Sequence, residues 1–585
     1  MRINKFIASV IVSMCIFTNC SNLDYTELSQ IRSEEWIFNN PFWGIEQLVN
    51  EAYARMPYDF GYYVGGMWQE WSLWDNLRGA MLSSACDESD FAPSQSEIHR
   101  YNNGSWSSTN AFPFTWINSY KAIAVANDFL ENLDKAWASL DAFKYNVSLG
   151  ENDYETLRAK MELYPYQVRF LRAFFHFELA KTYGDVPLVT KTLTPAEANS
   201  VVRTPVQDVF NFIVAECDAV ADKLPVTYQD ELSQQIGRIT RPIVLALKAR
   251  TLLYAASPLH NPSNSKDLWR RAALANKELI DKCPQWGIEF AEYRRLWGEN
   301  NYRQTEIFFI RFIDASAIGR RFEEINFPTG MENANGGNCP TQNLVDAYEY
   351  KSGVNEGKTW PEAEAAGTLE ANPYANMDPR FALTIAKNGD GWPTSSNILE
   401  TFQGGKNGPP LLNATTTGYY LKKYVDGSTN ISSNNPDQRR HSWIIYRLAE
   451  FYLNYAEAMF NFMGDADAIS EGILNMSANG AINVLRDRED IQMPHFSGSA
   501  NFEERYMRER MVELAFEGHR FWDVRRWKKG SQFFSEIKTV NVNSFGVVSR
   551  GVSKTRVWNE HFNLYPIPFG ELKKNPNLTP NQGWE

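Results

Sequence analysis

In the stretch "YQVRFLRAFFHFELAKTYGDVPL", Phe170, Ala173, Phe174, Phe177 and Ala180 recur at i, i+3, i+4, i+7 and i+10, the spacing that gathers apolar side chains on one face of an α-helix. Gly184 stands where a left-handed C′ residue ends such a helix, and Pro187 prevents its resumption. The same texture returns in "RPIVLALKARTLLYAASP", which stops before Pro258, and in "SWIIYRLAEFYLNYAEAMFNFMGD", predicted as one helix ending near Gly464. Ala173 with Phe177, and Tyr452 with Ala456, place small residues against aromatic ones as tetratricopeptide hairpins do, without a strict repeat period. The chain is therefore expected to be mainly α.

Between these helices the pattern breaks down. Residues 60–115, 314–345 and 350–440 are rich in Gly, Asn, Ser, Pro and aromatics, and are too long to be mere connections. "TEIFFIRFID" and "GYYLKKYVDG" look like short strands among them. Large loops on a rigid helical frame are where binding usually resides. At 585 residues the chain exceeds one ordinary core, which implies several domains or one superhelical body.

A formal charge of −12 argues against a nucleic-acid binder, which needs a basic face. Cysteines at 15, 20, 86, 217, 283 and 339 form no C-x-x-C pair or zinc spacing, and a disulfide framework is not expected. "GDADA" at 464–468 is too short for a calcium loop, and no metal or cofactor is expected.

The first residues, "MRINKFIASVIVSMCIFTNCSN", run in signal-peptide order: Arg2 and Lys5, an apolar run from Phe6 to Phe17, then small or polar residues to Cys20. The run is shorter than the roughly 20 apolar residues that span a bilayer. Cys20, directly after it, resembles the lipid-modified cysteine of a bacterial lipoprotein, with simple secretion as the alternative. An acylated Cys20 anchors a water-soluble fold to the membrane surface.

Several blocks together resemble the SusD/RagB family of nutrient-binding lipoproteins of Bacteroidetes outer membranes. They are "RFLRAFFHFELAKTYGDVPLVT", "YRLAEFYLNYAEA" (446–458), "AINVLRDRED" (481–490), "RERMVELAFEGHRFWDVRRW" (508–527) and "LYPIPFGELKKNPNLTPNQGW" (564–584), in family order. "SSACDESDF" and "TWINSYKAIAVAND" resemble its N-terminal part. The resemblance implies tetratricopeptide-like helix pairs packed against an irregular, loop-rich half with a few short strands. It implies a signal peptide over 1–19, a lipidated Cys20 and tether over 20–40, and one body over 41–585. Within that body, a SusD-like N-terminal region covers about 41–230 and a RagB/SusD C-terminal region about 300–585. It also implies a partner, a SusC-like TonB-dependent outer-membrane transporter, to which captured oligosaccharide or peptide is handed.

The stretch "ELAFEGHRFWDVRRW" (513–527) looks most like chemistry, with Glu517, His519, Arg520, Asp523, Arg525 and Arg526 close together. It holds no Ser or Cys nucleophile. Read as one helix, Glu513 and Glu517, and Arg520 and Asp523, lie three or four residues apart, where ion pairs form. It is expected to be buried scaffold.

Sugar binding asks for flat aromatic faces and for Asp, Asn or Arg side chains that bond hydroxyls. The stretch "DESDFAPSQSEIHRYNNGSWSSTN" (87–110) holds all of these, and by resemblance the family site draws on it. Asp87, Arg100, Asn103 and Trp106 are its candidates, with a turn or cap role as the competing reading of Asp87. "ASAIGRRFEEINFPTGMENANGG" (315–337) adds Arg321, Phe322 and Phe327, and "YYVGGMWQEWSLW" adds Trp68. The favoured function is non-catalytic capture of a glycan. The alternatives are the same fold binding peptides, a surface glycosidase, which needs two carboxylates about 5 to 10 Å apart, and a helical adaptor, which needs no export signal.

Overall fold

The computed structural model describes residues 44–60, 77–144, 151–228, 236–313, 321–434 and 436–585. Helices α1 (Glu46–Ala54), α2 (Phe114–Glu131), α3 (Glu151–Tyr183), α4 (Val206–Val220), α5 (Arg241–Ala256) and α6 (Lys266–Lys282) form a row in which each packs against the next. The row continues with α7 (Leu448–Met463) on α6 and α8 (Ala478–Arg486) on α7, although the loop-rich region separates α6 from α7 in sequence. In α3, Phe170, Ala173, Phe174, Phe177 and Ala180 are all buried, as their spacing predicts. Gly184 takes φ 73 and donates its N–H to Ala180 O at 2.9 Å. A Cβ there would meet Leu564 Cδ1 at 2.9 Å, so both the turn and the close approach require glycine. Among the described residues no helix is long and apolar enough to cross a membrane, and Cys86, Cys217, Cys283 and Cys339 are free buried thiols.

Strands pair in twos and antiparallel: β1 (Ser89–Phe91) with β3 (Asn338–Pro340), β2 (Ile307–Ile313) with β4 (His441–Arg447), and β5 (Glu536–Val542) with β6 (Val548–Thr555). β4 corrects the expectation of one helix through "SWIIYRLAEFY". Its seven residues are buried on both faces, and β2 offers the backbone partner that lets the β-branched Ile444 and Ile445 extend. Helix begins only at Leu448. In "GYYLKKYVDG" only Tyr420–Leu421 is strand, paired with Ile385–Ala386.

The stretch 513–527 is likewise not one helix. α9 (Phe502–Glu513) and α10 (Arg520–Arg526) are separated by a turn in which Phe516 (φ 60) and Gly518 (φ 75) are left-handed, which no α-helix accommodates. The turn redirects the charges. Arg520 reaches Asp87 with two bonds of 2.9 and 2.7 Å, instead of Asp523. Asp523 takes Arg510 (2.7 Å) and Arg526 (2.8 Å), and Arg526 also forks onto Glu457.

Glu513 and Glu517 enter a buried lattice of charges. Arg447, the last residue of β4, bonds Glu306 (2.8 Å), Glu513 (2.7 Å) and Glu517 (2.7 Å). Arg380 joins Asp378, Glu509 and Glu513, while Arg486 joins Glu509 and Glu349. Arg488 bridges Glu306 and Glu513, and Lys423 bonds Glu517 at 2.9 Å. Every carboxylate of the 513–527 stretch therefore has a cationic partner, which is the arrangement of a scaffold.

Removing one member strands its partners without water. Arg447→Met is expected to cost about 3 to 5 kcal/mol in chemical denaturation. Arg158→Met, half exposed on α3, should change stability by less than about 0.5 kcal/mol.

Candidate functional site

Asp87, Arg100, Asn103 and Trp106 belong to one segment, but they serve different ends. Asp87 is buried against Arg520. Arg100 pairs with Glu97 and lies over the Phe112 ring at 4.6 Å. Asn103 is exposed and accepts from the Ser105 N–H at 2.9 Å. Trp106 is only 4% exposed, walled by Tyr101, Phe562, Tyr565 and Trp584 at 4.8 to 5.1 Å. Its rings face protein, which makes it a platform beneath the polar loop and leaves no open face. Trp68 and Cys20 lie outside the described residues.

Phe322 and Phe327 are buried as well, on and beside the short helix Arg321–Asn326, whose first residue Arg321 is exposed. They back a cleft of about 420 Å³. Trp297 and Glu299 enter it after the turn Tyr293–Arg295. Tyr424, Asp426 and Ser428 follow Tyr420–Leu421, and Arg439 and His441 lead into β4. Phe322 packs on His441 at 5.4 Å. Glu323 ties the helix to the cleft: Oε2 lies 3.2 Å from His441 Nε2, and Oε1 accepts from the Asp426 N–H at 3.3 Å. Phe327 packs on Trp392 at 5.1 Å, next to the cleft residue Pro393.

Two rings floor the cleft. Tyr424 takes φ 65, a conformation costly for an aromatic residue and held only where the surroundings enforce it. Its ring meets Trp297 edge-on at 5.2 Å and stacks on Trp443 at 5.7 Å. Burial, aided by nearby Glu517, raises the Tyr424 phenol well above its ordinary pKa, so it stays protonated. Beneath Trp297 the Lys423 ammonium sits 3.7 Å from the ring centroid, and burial lowers its pKa to about 8 against the pull of Glu517. The charge lattice thus ends under the floor. At the rim Arg439 pairs with Asp426 (3.1 Å) and Asp437 (3.1 Å) and donates to Thr429 Oγ1 (2.9 Å). A fixed carboxylate and guanidinium at the rim of a cleft built on buried rings suit a ligand with hydroxyl groups.

The sequence reading missed Trp297, Tyr424, Asp426 and Arg439. The Asp426-Gly427 pair was the available signal, since Asp-Gly marks a tight turn rather than a strand. Nothing local announces that Trp297, far away in sequence, meets that turn.

Among known proteins, residues 299–584 match the SusD family, and residues 75–253 match a family described as starch-binding and associating with the outer membrane. The SusD-like protein P2 of Formosa agariphila is similar at 22% identity over 595 aligned residues, covering 99% of each chain. The starch-binding protein SusD of Bacteroides thetaiotaomicron is 22% identical over 491 residues, 76% of this chain and 77% of that one. A solved SusD-like protein from Bacteroides fragilis superposes with a TM-score of 0.73 at 23% identity, covering 95% of this chain and 99% of that one, a likeness of fold.

Next to Asp87, Glu88 is buried, with Oε1 unpartnered, and burial reinforced by Asp87 raises its pKa from 4.5 to about 8. The folded state holds this proton between those two values while the unfolded state releases it, so Glu88 lowers stability as pH rises from 4.5 to 8. Glu88→Gln removes that loss. Its gain over the native chain should grow across this window, to a few kcal/mol on the order expected from the shift, as read from paired melts at pH 4.5 and 8.

Proposed function

Because the chain belongs to the SusD/RagB family, we propose that it is a non-catalytic, cell-surface lipoprotein that captures oligo- or polysaccharide and delivers it to a SusC-like TonB-dependent transporter. The observation that carries the glycan reading is the cleft at Tyr424, where strained backbone, aromatic floor and a paired rim converge. Sugar hydroxyls donate to Asp426 and accept from Arg439 at the rim, above a base stiffened by the buried rings of Trp297 and Tyr424. The names of the starch-binding relatives point the same way. Arg100 and Asn103, above the Trp106 platform, and Arg321 supply further polar contacts along a longer chain. Acylation of Cys20, at the end of the signal over 1–19, supplies the anchor, and residues to about 40 the tether.

Capture without turnover needs no activated nucleophile, and no cofactor enters the reading. Peptide binding by the same cleft is the competing outcome.

A glycan and peptide panel with calorimetric follow-up tests this. Asp426→Asn should weaken the bound glycan about 5- to 10-fold with the melting temperature nearly unchanged. Binding of peptides alone, or hydrolysis products after long incubation, would overturn the reading. Cys20→Ala should move the protein from the membrane fraction to the soluble one.

A further inference from the structure

At the other end of the charge lattice, where Arg486 leaves it, a crevice of about 210 Å³ opens at the start of α9. Its wall is Phe496, whose ring carries the Arg486 guanidinium at 4.3 Å and the Arg505 guanidinium at 4.1 Å. Arg486 is saturated by Pro494 O, Glu509 and Glu349. Arg508 divides itself among Glu349 (3.8 Å), Glu362 (3.1 Å) and Glu504 (3.5 Å), yet its buried Nε has no acceptor. The carboxylates of the crevice are thereby engaged.

Arg505 is the surplus charge. It donates to Ser497 O at 3.0 Å, and among the described residues no carboxylate lies within ion-pair distance of it. Burial lowers its pKa, with Glu349 opposing and Arg486 and Arg508 reinforcing the shift, but a guanidinium stays charged at neutral pH. Exposed Asn501 stands at the mouth, beside His495, whose Nε2 lies 2.6 Å from Asp487 Oδ1. A half-buried guanidinium without an acid is matched by a planar or tetrahedral anion.

We propose that this crevice is a second glycan subsite, for a sugar bearing a carboxylate or sulfate, with the Arg505 guanidinium holding the anion. The proposal rests on the carbohydrate reading of the Tyr424 cleft, and it narrows the substrate to acidic glycans.

Calorimetry of the full chain with trigalacturonate, its methyl ester, galactose 6-sulfate and galactose tests it. At least one acidic sugar should bind about 10-fold tighter than its neutral counterpart, less so at high salt. The galacturonate and sulfate arms tell the two anions apart. Arg505→Ala should abolish the preference at unchanged melting temperature, and Arg505→Lys, which keeps charge without the fork, should restore part of it. Equal binding of acidic and neutral sugars, no binding of either acid, or a preference that survives Arg505→Ala overturns the subsite. If any of these failures occurs while neutral glycan binding stays sensitive to Asp426→Asn, the subsite falls and the cleft reading stands; absence of all glycan binding removes both.

Discussion

The fold turns on Arg447. It closes β4, opens α7 and reaches Glu306, Glu513 and Glu517, so one guanidinium joins the strand pair, the helical row and the turn between α9 and α10. Burying such charges costs solvation that their mutual attraction only roughly repays. We therefore assign the lattice to specificity more than to net stability: rotating α9 by half a turn about its axis would carry Glu509 and Glu513, which share one face, away from Arg380, Arg447 and Arg486 together. Arg525 shows the other way to bury a guanidinium. Among the described residues it has no carboxylate partner; it lies 3.5 Å over the Phe521 ring and donates to the carbonyls of Phe521 and Phe562. Burial lowers its pKa to about 10, still far above neutrality.

The same lattice organises the surface. One end, Lys423, underlies Trp297 in the cleft, and the other, Arg486, forms a wall of the crevice at Phe496. Rings at both openings are pressed against fixed cations and not against mobile apolar side chains. Their orientation is set before any ligand arrives, which spares binding the entropy of ordering them.

What the sequence disclosed follows from locality. The face of α3, its stop at Gly184 and the strand Ile307–Ile313 are written in neighbouring residues and were legible. The segment 441–447 was not, because its apolar run satisfies helix and buried strand alike and only β2 decides between them. Arg520 and Asp523 stay one turn apart within α10, yet Arg520 takes Asp87 and Asp523 takes Arg510, partners that no local spacing announces, while the left-handed Phe516 and Gly518 end the helix between Glu513 and Arg520. Trp106, Phe322 and Phe327 spend their faces on protein, and so do the equally buried rings of the cleft base. Trp297 and Tyr424, brought together by tertiary packing, floor the cleft.

The pair Asp87–Arg520 joins residues 433 positions apart. A ribosome delivers the aspartate early and its guanidinium only near the end of synthesis. Until then the segment around β1 has a charge that must be buried and nothing to bury it against. The native burial of the segment around β1 is therefore complete only when residues near the other end of the chain are in place.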